Sequence, residues 1–379
     1  MQRVAEVRPL HIAKFAVPPY AGIEQHVHTL ANALMPEVRS TVLAGNISKM
    51  RYGLRPYKLY TVKCYGKINS VYLTPKVLTQ ARQIMISGEC NLLHLHCPNP
   101  WGDAAALACQ GAPVVVSWHS DIVRQRWLMK AYQRIQRKVL DRADKIIIST
   151  PNFFQCSPQL NSRNIESKIA YVPYGIDFSE LDSQSRDEEI GHKIEAFAAG
   201  RCILLTVGRH VAYKGYETLL NALSNTRNHT CLVMVGSGPL TNSYRRLIKE
   251  QNLTDRVLML GEISRQRLAT PIRSCHFFAL PSITTAEAFG LASAEAMAFG
   301  KPTIVCRLNN GVDYLNQHAI TSLCVNPGSV RELSEAITTL ATDGKLRETL
   351  GLAARKWVRR EFGVCNMRVK MMEVYQAIG

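Results

Sequence analysis

Residues 276–306 read HFFALPSITTAEAFGLASAEAMAFGKPTIVC, and their pattern specifies an architecture. Two short apolar runs, residues 276–281 and 302–306, are typical of buried strands. The alanine-rich segment between them predicts a helix that begins near Phe289-Gly290 and ends at Gly300. Because parallel strands are joined by helical crossovers, this stretch predicts one repeat of a doubly wound α/β sheet.

The same alternation continues along nearly the whole chain. Strand-like runs occur at residues 10–17, 40–45, 91–97, 113–119, 145–149 and 169–173, and again at residues 202–208, 231–236, 256–260, 276–281, 302–306 and 322–325. The polar segment FSELDSQSRDEEIGHK, residues 178–193, separates the two series. A chain of 379 residues also exceeds what one core usually supports. We predict Rossmann-like domains at residues 1–180 and 200–360, and a C-terminal helix, residues 361–379, able to pack back on the first domain.

Composition excludes several classes of protein. With 46% hydrophobic and 20% charged residues the chain is globular rather than disordered. Its apolar runs are far shorter than the ~18 residues of a membrane-spanning helix, and its first residues do not resemble a secretory signal. The eleven cysteines form no CxxC pair, and many lie in apolar strands, so we expect reduced core thiols in a cytoplasmic protein.

The net charge indicates anionic partners. There are 46 basic and 29 acidic residues, a formal charge of +17, which favours nucleic acid, anionic lipid or phosphorylated substrates. A nucleic-acid-binding protein is therefore one alternative. The sequence has no recognisable zinc finger, aromatic RNA-binding motif or basic tail, so we expect no nucleic-acid partner.

Part of this charge lies on one predicted helix, residues 124–145, which carries eight basic residues. An apolar stripe is predicted to pack on the sheet, and a basic face is left for anionic headgroups. The stripe comprises Leu128, Tyr132, Ile135 and Val139, and the basic face Arg126, Lys130, Arg134, Arg137 and Lys138.

Two motifs at predicted strand ends are suited to phosphate binding, since ligands of open parallel sheets bind beyond the carboxyl ends of the strands. In LLTVGRHVAYKG, Arg209 and Lys214 provide a guanidinium fork and a point charge five residues apart. In LVMVGSGPL, Gly236 and Gly238 predict a tight turn beside a ligand. A third glycine at the dinucleotide-binding spacing is absent. Either motif alone is equally compatible with a solvated loop.

The carboxylates Glu287 and Glu295 flank the predicted start of a helix. If both were helical they would lie up to ~12 Å apart, too far for a typical glycosidase acid/base pair. If the helix instead begins near Gly290, its free amides can bind phosphate while the carboxylates reach hydroxyl groups on either side. That arrangement fits a nucleoside diphosphate sugar. The alternative is two surface glutamates on an alanine-rich helix.

His94, His96 and Cys97 in HLHC are possible zinc ligands. Strand alternation places both histidines on one face, but no fourth ligand is spaced nearby. A packing or acceptor-site role is favoured, and no metal site is predicted.

Taken in order, these motifs resemble a known family. EAFGLASAEAMAFGKP resembles the E-x7-E region of family 4 retaining GT-B glycosyltransferases, and VGRHVAYKG and VGSGPL resemble its diphosphate and nucleoside segments. PPYAGIEQHVHTLANAL, LLHLHCPNP, VVVSWHSDIVRQ, STPN and VPYGID also match, so the resemblance covers most of residues 10–365. WHSDIVRQ, residues 118–125, further resembles mannosyltransferases of bacterial O-antigen and exopolysaccharide assembly.

The resemblance implies roles for individual residues. Glu287 would contact the donor sugar near the reacting carbon, Glu295 the ribose, and His119 the sugar from the other domain. The diphosphate would be bound by backbone amides and cations, namely those of Phe289, Gly290, Leu291, Arg209 and Lys214, with Gly22 bringing the first loop close. The chain departs from the family pattern at two places. Ala21-Gly22 stands where the family often has two glycines, and Tyr174 stands where asparagine is common.

The resemblance also implies a reaction. A GT-B enzyme has two Rossmann-like domains facing each other across a cleft, the first binding acceptor and the second nucleotide sugar. We expect a hexose, by preference mannose from GDP-mannose, to move with retention to a lipid-linked saccharide of cell-surface polysaccharide. No metal or other cofactor is expected, and the site of action is the anionic inner face of the cytoplasmic membrane. A UDP-sugar donor, or an epimerase or hydrolase of the same fold, is the alternative.

Overall fold

The computed structural model describes residues 6–17, 22–47, 55–68, 71–122, 126–161 and 164–378, with the backbone alone at residues 68 and 126–131. The chain divides into two compact units, Met1–Ile176 with Phe362–Gly379, and Asp177–Glu361. None of the described helices is long and apolar enough to cross a membrane.

The strands, numbered along the chain, are β1 Pro9–Phe15, β2 Thr41–Asn46, β3 Lys58–Lys63, β4 Lys67–Ile68, β5 Val71–Tyr72, β6 Leu92–Cys97, β7 Val114–Trp118, β8 Lys145–Ile148, β9 Ile169–Tyr171, β10 Cys202–Val207, β11 Thr230–Val235, β12 Val257–Gly261, β13 Phe277–Leu280, β14 Thr303–Cys306 and β15 Ser322–Val325.

The helices are α1 Gly22–Ala33, α2 Lys76–Ile86, α3 Pro100–Ala108, α4 Arg126–Arg142, α5 Phe153–Cys156, α6 Pro158–Asn161, α7 Phe178–Ser183, α8 Glu188–Ala198, α9 Tyr216–Ser224, α10 Thr241–Glu250, α11 Ala269–Ser274, α12 Leu291–Ala298, α13 Gly311–Leu315, α14 Val330–Thr342, α15 Gly344–Glu361 and α16 Val364–Gln376.

The first unit is built on a parallel seven-stranded sheet of order β3-β2-β1-β6-β7-β8-β9. One face packs against α1 and α16, through residues such as Leu30 and Met371. The other packs against α2, α3 and α4, through residues such as Ile84 and Val139. β4 and β5 form a separate antiparallel hairpin.

The second unit is built on a parallel six-stranded sheet of order β12-β11-β10-β13-β14-β15. Its strands are buried apolar runs, as strands covered on both faces must be. Together the two sheets confirm the predicted pair of doubly wound Rossmann-like domains. All eleven cysteines are free; seven are buried as expected of core thiols, whereas Cys156 and Cys365 are exposed.

Several local features differ from the prediction. β3 was not predicted, because its sequence KLYTVK has only three apolar residues, and of these Val62 alone is fully buried at the sheet edge. Residues 178–200, where the boundary was placed, contain α7 and α8 of the second unit. The apolar stripe of α4 was partly wrong, since Ile135 is 40% exposed whereas Gln136 is buried. The side chains of Leu128, Arg126 and Lys130 lie outside the described residues.

Candidate functional site

The carboxyl ends of three neighbouring strands in the second unit form a continuous edge. The amide of Gly208 after β10 donates to Val235 of β11, at 3.0 Å, and that of Gly236 donates to Gly261 of β12, at 2.7 Å. A further bond, 2.8 Å from the His210 amide to the Ser237 carbonyl, joins the two loops. The predicted phosphate and nucleoside motifs are therefore adjacent.

The two glycines of the second motif are explained by this close approach. Gly236 has φ +125°, and a Cβ there would lie 2.1 Å from the carbonyl oxygen of Gly208. A Cβ on Gly238 would lie 2.6 Å from the carbonyl oxygen of His210. No side chain fits at either distance, so glycine is required by the packing of one loop on the other.

Glu287 is buried and held by two side chains. Its Oε2 accepts hydrogen bonds from Lys214 Nζ at 2.5 Å and from Ser282 Oγ at 2.9 Å. Its carbonyl oxygen accepts a bond of 2.7 Å from Asn310 Nδ2, at the N-cap of α13. Gly215, at φ +68°, brings the Lys214 loop against Pro281. The predicted cation and the predicted catalytic carboxylate are thus in direct contact.

Glu295 lies in α12, is only 7% exposed, and pairs with Arg265. The helix begins at Leu291, after Gly290 at φ +84°, so the predicted start of the helix is confirmed. Phe289 is 4% exposed and belongs to the core, which leaves only its backbone for ligand contact. Arg209 is exposed beyond the end of β10.

This edge can bind an anion between charged groups that now neutralise each other. The first two amides of α12, those of Leu291 and Ala292, and the cations Lys214 and Arg209 favour phosphate, whereas the amides of Ser293 and Ala294 already donate to the carbonyl oxygen of Gly290. The carboxylates of Glu287 and Glu295 pair with different cations, so they do not form an acid/base pair.

His119 belongs to the first unit, where it is part of a cluster of five buried histidines. The pairing of β1 with β6 places His11 beside His94, and His96 follows on the same face of the sheet. His26 extends from α1, and its ring lies 5.1 Å from that of His119. All five are at most 7% exposed.

Four residues of this region form a chain of hydrogen bonds. Nδ1 of His119 lies 3.0 Å from the Tyr174 hydroxyl, and its Nε2 lies 3.1 Å from His96 Nδ1. His96 Nε2 is in turn 3.1 Å from Nδ1 of His11. Tyr174, the departure from the family pattern, is thus a direct partner of His119. Both ring nitrogens of His119 are occupied, so contact with a sugar requires one of these bonds to open.

The histidines of the cluster are neutral at physiological pH. Burial, together with the charge of neighbouring histidines, lowers the pKa of His11 to about 3, and burial lowers that of His26 to about 4. Burial is also the main reason why the pKa values of His94, His96 and His119 lie well below the usual range. His119 can therefore donate or accept a hydrogen bond but supplies no positive charge.

Two triplets of these rings, His11/His94/His96 and His26/His96/His119, bring nitrogen atoms within 4.8 Å of one another. Neutral imidazole is the metal-binding form of histidine. However, Nδ1 and Nε2 of His94 pair with Tyr375 and Ser117, at 2.7 and 2.8 Å, and both nitrogens of His96 also pair within the cluster. His94 thus has a packing role, and the absence of a metal site stays a prediction.

For two other predicted residues, Gly22 and Cys97, the surroundings do not bear on the predicted role. Gly22 is the first residue of α1, and a Cβ there would meet none of the described residues within 4 Å, so their packing does not require glycine. Residues 18–21, the rest of the loop before α1, lie outside the described residues. So do residues 123–125 of WHSDIVRQ. Cys97 Sγ lies 3.2 Å from the carboxylate of Asp103, away from the histidines with which it was grouped.

Sequence reasoning missed the residues that hold the predicted ones in place. In the second unit these are Ser282, Asn310 and Arg265, and in the first unit His11 and His26. His11 carried a usable signal, since it is a histidine in an otherwise apolar strand. Asn310, Arg265 and His26 have none, because their partners are distant in the sequence, whereas Ser282 lies only five residues before its partner Glu287.

Comparison with known proteins identifies both halves of the chain. Residues 20–180 match the family model for glycosyltransferase family 4, and residues 187–357 match the model for glycosyl transferases group 1. Together the two matches cover most of the chain.

Curated relatives are similar along nearly their whole length. O-antigen chain mannosyltransferase C of Escherichia coli is 28% identical, over 98% of this chain and 99% of that protein. The D-rhamnosyltransferase WbpZ of Pseudomonas aeruginosa is 28% identical, over 90% of this chain and 84% of that protein. Among solved structures, Anabaena HepE in complex with UDP superposes with a TM-score of 0.79, at 18% identity over 98% of this chain and all of that one, which shows the GT-B fold.

Proposed function

This chain belongs to the family 4 GT-B glycosyltransferases, and from that premise we propose that it transfers mannose from GDP-mannose, with retention of configuration. The acceptor is a lipid-linked saccharide of cell-surface polysaccharide, such as O-antigen. The names of the relatives support this choice, since one is an O-antigen mannosyltransferase and another transfers D-rhamnose, also a hexose derivative.

One observation carries the proposal, namely the contact of Lys214 with Glu287 beside the start of α12. In this proposal the donor diphosphate binds the first amides of α12 and Arg209, and draws Lys214 away from Glu287. The carboxylate of Glu287, still held by Ser282, then contacts the sugar. Glu295, positioned by Arg265, binds the ribose hydroxyls. Binding the donor thus exchanges one ion pair for another.

Catalysis then depends on stabilising the departing diphosphate. Fixed cations and helix amides directed at developing charge lower a barrier without reorganising during the reaction. We propose that Arg209, Lys214 and the α12 amides do this without a metal ion. On the acceptor side, neutral His119 contacts a sugar hydroxyl by exchanging one of its two present partners.

The place of action is also a proposal. The exposed basic residues Arg134, Arg137 and Lys138 of α4 suit an anionic surface, and a lipid-linked acceptor would be presented at one. We therefore place the enzyme in the cytoplasm, peripherally at the inner face of the cytoplasmic membrane.

A thermal-shift panel of nucleoside diphosphates, with and without chelator, tests the donor. A ligand that binds only the native state raises the melting temperature with its concentration. We expect GDP to give the largest shift, Lys214→Met to reduce it, and chelator to change neither shift nor transfer. The exposed Lys345→Met is the matched control. A larger shift with UDP would replace mannose by a UDP-linked sugar, and loss of transfer with chelator would contradict metal independence. Donor turnover without acceptor would indicate a hydrolase or epimerase instead.

A further inference from the structure

The buried chain Tyr174–His119–His96–His11 has a property that none of its members has alone. A neutral imidazole carries one N–H, and its other nitrogen can only accept. In each hydrogen bond between two rings, one of the facing nitrogens must therefore donate and the other must accept. Because His119, His96 and His11 are bonded in series, the tautomer of one ring fixes that of the next.

Only two proton arrangements satisfy the chain. In the first, the Tyr174 hydroxyl donates to His119, all three rings carry the proton on Nε2, and the Nε2–H of His11 points away from the chain. In the second, all three rings carry it on Nδ1, His119 donates to Tyr174, and Nε2 of His11 is a bare acceptor.

The far end of the chain distinguishes these arrangements. Nε2 of His11 is buried and has no hydrogen-bond partner among the described residues. An orphaned buried N–H is rarer in folded proteins than an acceptor that lacks a partner. At the near end, the Tyr174 hydroxyl also bonds Ser149, so it can accept from His119 while keeping a second partner.

We propose that His11 and His96 are positioning residues that hold His119 in its Nδ1–H form, with Nε2 an acceptor. This form is the opposite of the one that free histidine prefers in water, so the surroundings must impose it. The consequence for catalysis rests on the proposed function. When His119 opens its bond to His96, Nε2 accepts a hydrogen bond from a sugar hydroxyl and cannot donate one.

Imidazole ¹⁵N NMR of the ligand-free protein tests the tautomers directly, since protonated and bare ring nitrogens give well-separated shifts. In the wild type we expect protonated Nδ1 at His11, His96 and His119. His11→Met replaces the donor to His96 by a thioether sulfur, which can only accept a hydrogen bond, so we expect Nε2–H to appear at His119, two hydrogen bonds away. His11→Gln keeps an N–H that can donate to His96 and should restore the wild-type pattern.

The matched control is His94→Phe, which removes a neighbouring buried imidazole that bonds only Tyr375 and Ser117. It should leave the tautomer of His119 unchanged. Mixed tautomers along the chain in the wild type, or an unchanged His119 in folded His11→Met, would overturn the proposal. So would retention of about one equivalent of zinc or nickel by the purified wild type, because the ring nitrogens would then be metal ligands. If His11→Met does not fold, the wild-type pattern and His11→Gln still decide.

Kinetics provide a separate reading. With the donor and acceptor that the wild type uses, His11→Met should lower kcat roughly tenfold or more, as misplacement of a substrate-positioning group does, with little change in donor KM. His11→Gln should recover most of the rate. If transfer proves to be a different reaction, the NMR result stands and only the proposed function fails. If kcat is unchanged although the tautomer reverses, His119 does not act through Nε2.

Discussion

At the scale of single residues, Glu287 and Glu295 are both buried, and each is paired with a cation. The spacing of Glu287 and Glu295 around Gly290 pointed to a ligand edge, and the structure places both there, buried. It could not show that Lys214 and Arg265 already neutralise them, because those partners are 73 and 30 residues distant. In the proposed function Glu287 exchanges Lys214 for the donor sugar, whereas Glu295 keeps Arg265 and binds the ribose.

Substituting the two glutamates separates their proposed roles. Glu287→Gln should lower kcat about a hundredfold at saturating donor, as removal of one transition-state contact does. It should leave GDP binding equal or tighter, because Lys214 loses its carboxylate partner. His119→Ala should likewise lower kcat. Glu295→Gln should mainly raise donor KM, roughly tenfold, since a contact equal in ground and transition states alters binding alone. Steady-state kinetics of folded variants measure this.

Glu335→Gln, an exposed carboxylate on α14 that pairs with Arg331, is the matched control and should behave as wild type. If both buried glutamate variants also showed wild-type kinetics, the donor site would have been misplaced.

At the scale of helices and strands, apolar runs located the buried strands of both sheets, because such runs arise from burial itself. Sequence patterns failed where burial is partial. Half of the edge strand β3 is polar, and on α4 the core accepts Gln136 while Ile135 is exposed. Register between strands was also beyond reach, so the meeting of His11 with His94 and His96 could not be predicted.

The basic face of α4 gives the element-scale prediction. Attraction to an anionic surface is worth about 1 kcal/mol per basic residue and is screened within ~10 Å at 0.1 M salt. We therefore expect salt-sensitive sedimentation with anionic vesicles. Replacing Arg134, Arg137 and Lys138 by glutamine should weaken it roughly tenfold or more.

The matched control replaces three exposed basic residues of α10, Arg245, Arg246 and Lys249, by glutamine, which removes the same charge from the second unit. Equal weakening by both triple variants would mean that net charge, and not α4, drives binding. Equal binding to neutral and anionic vesicles would exclude the surface altogether.

At the scale of the whole molecule, two parallel sheets and the family were both predictable, since strand order along the chain and strand-end motifs survive in sequence. The electrostatic state of the first core was not. Its five neutral histidines have lowered pKa values because they are buried together, a property of the fold and not of any segment.

This core should make the protein sensitive to mild acid. In the unfolded chain each of the five histidines gains a proton near pH 6.5, whereas in the folded unit each stays neutral to much lower pH. Stability is therefore full above pH 6.5 and is lost as pH falls, by on the order of 1 kcal/mol per histidine between pH 6.5 and 5.5.

Asp103 acts in the opposite direction. Burial raises its pKa from 3.8 to about 6, so its contribution is present below pH 3.8 and is lost as pH rises through 6. Burial likewise raises the pKa of Glu24. These two carboxyls are outnumbered by five imidazoles, and the net effect of acidification is destabilising.

Guanidinium denaturation followed by tryptophan fluorescence at pH 7.5, 6.5 and 5.5 should show the midpoint of the first unit falling steeply below pH 6.5. His94→Phe, which removes one of the five protons, should flatten this dependence, while His192→Phe on the exposed face of α8 should not. A midpoint independent of pH in this range would mean that the histidines bind protons in the folded state and that the core is not closed to water.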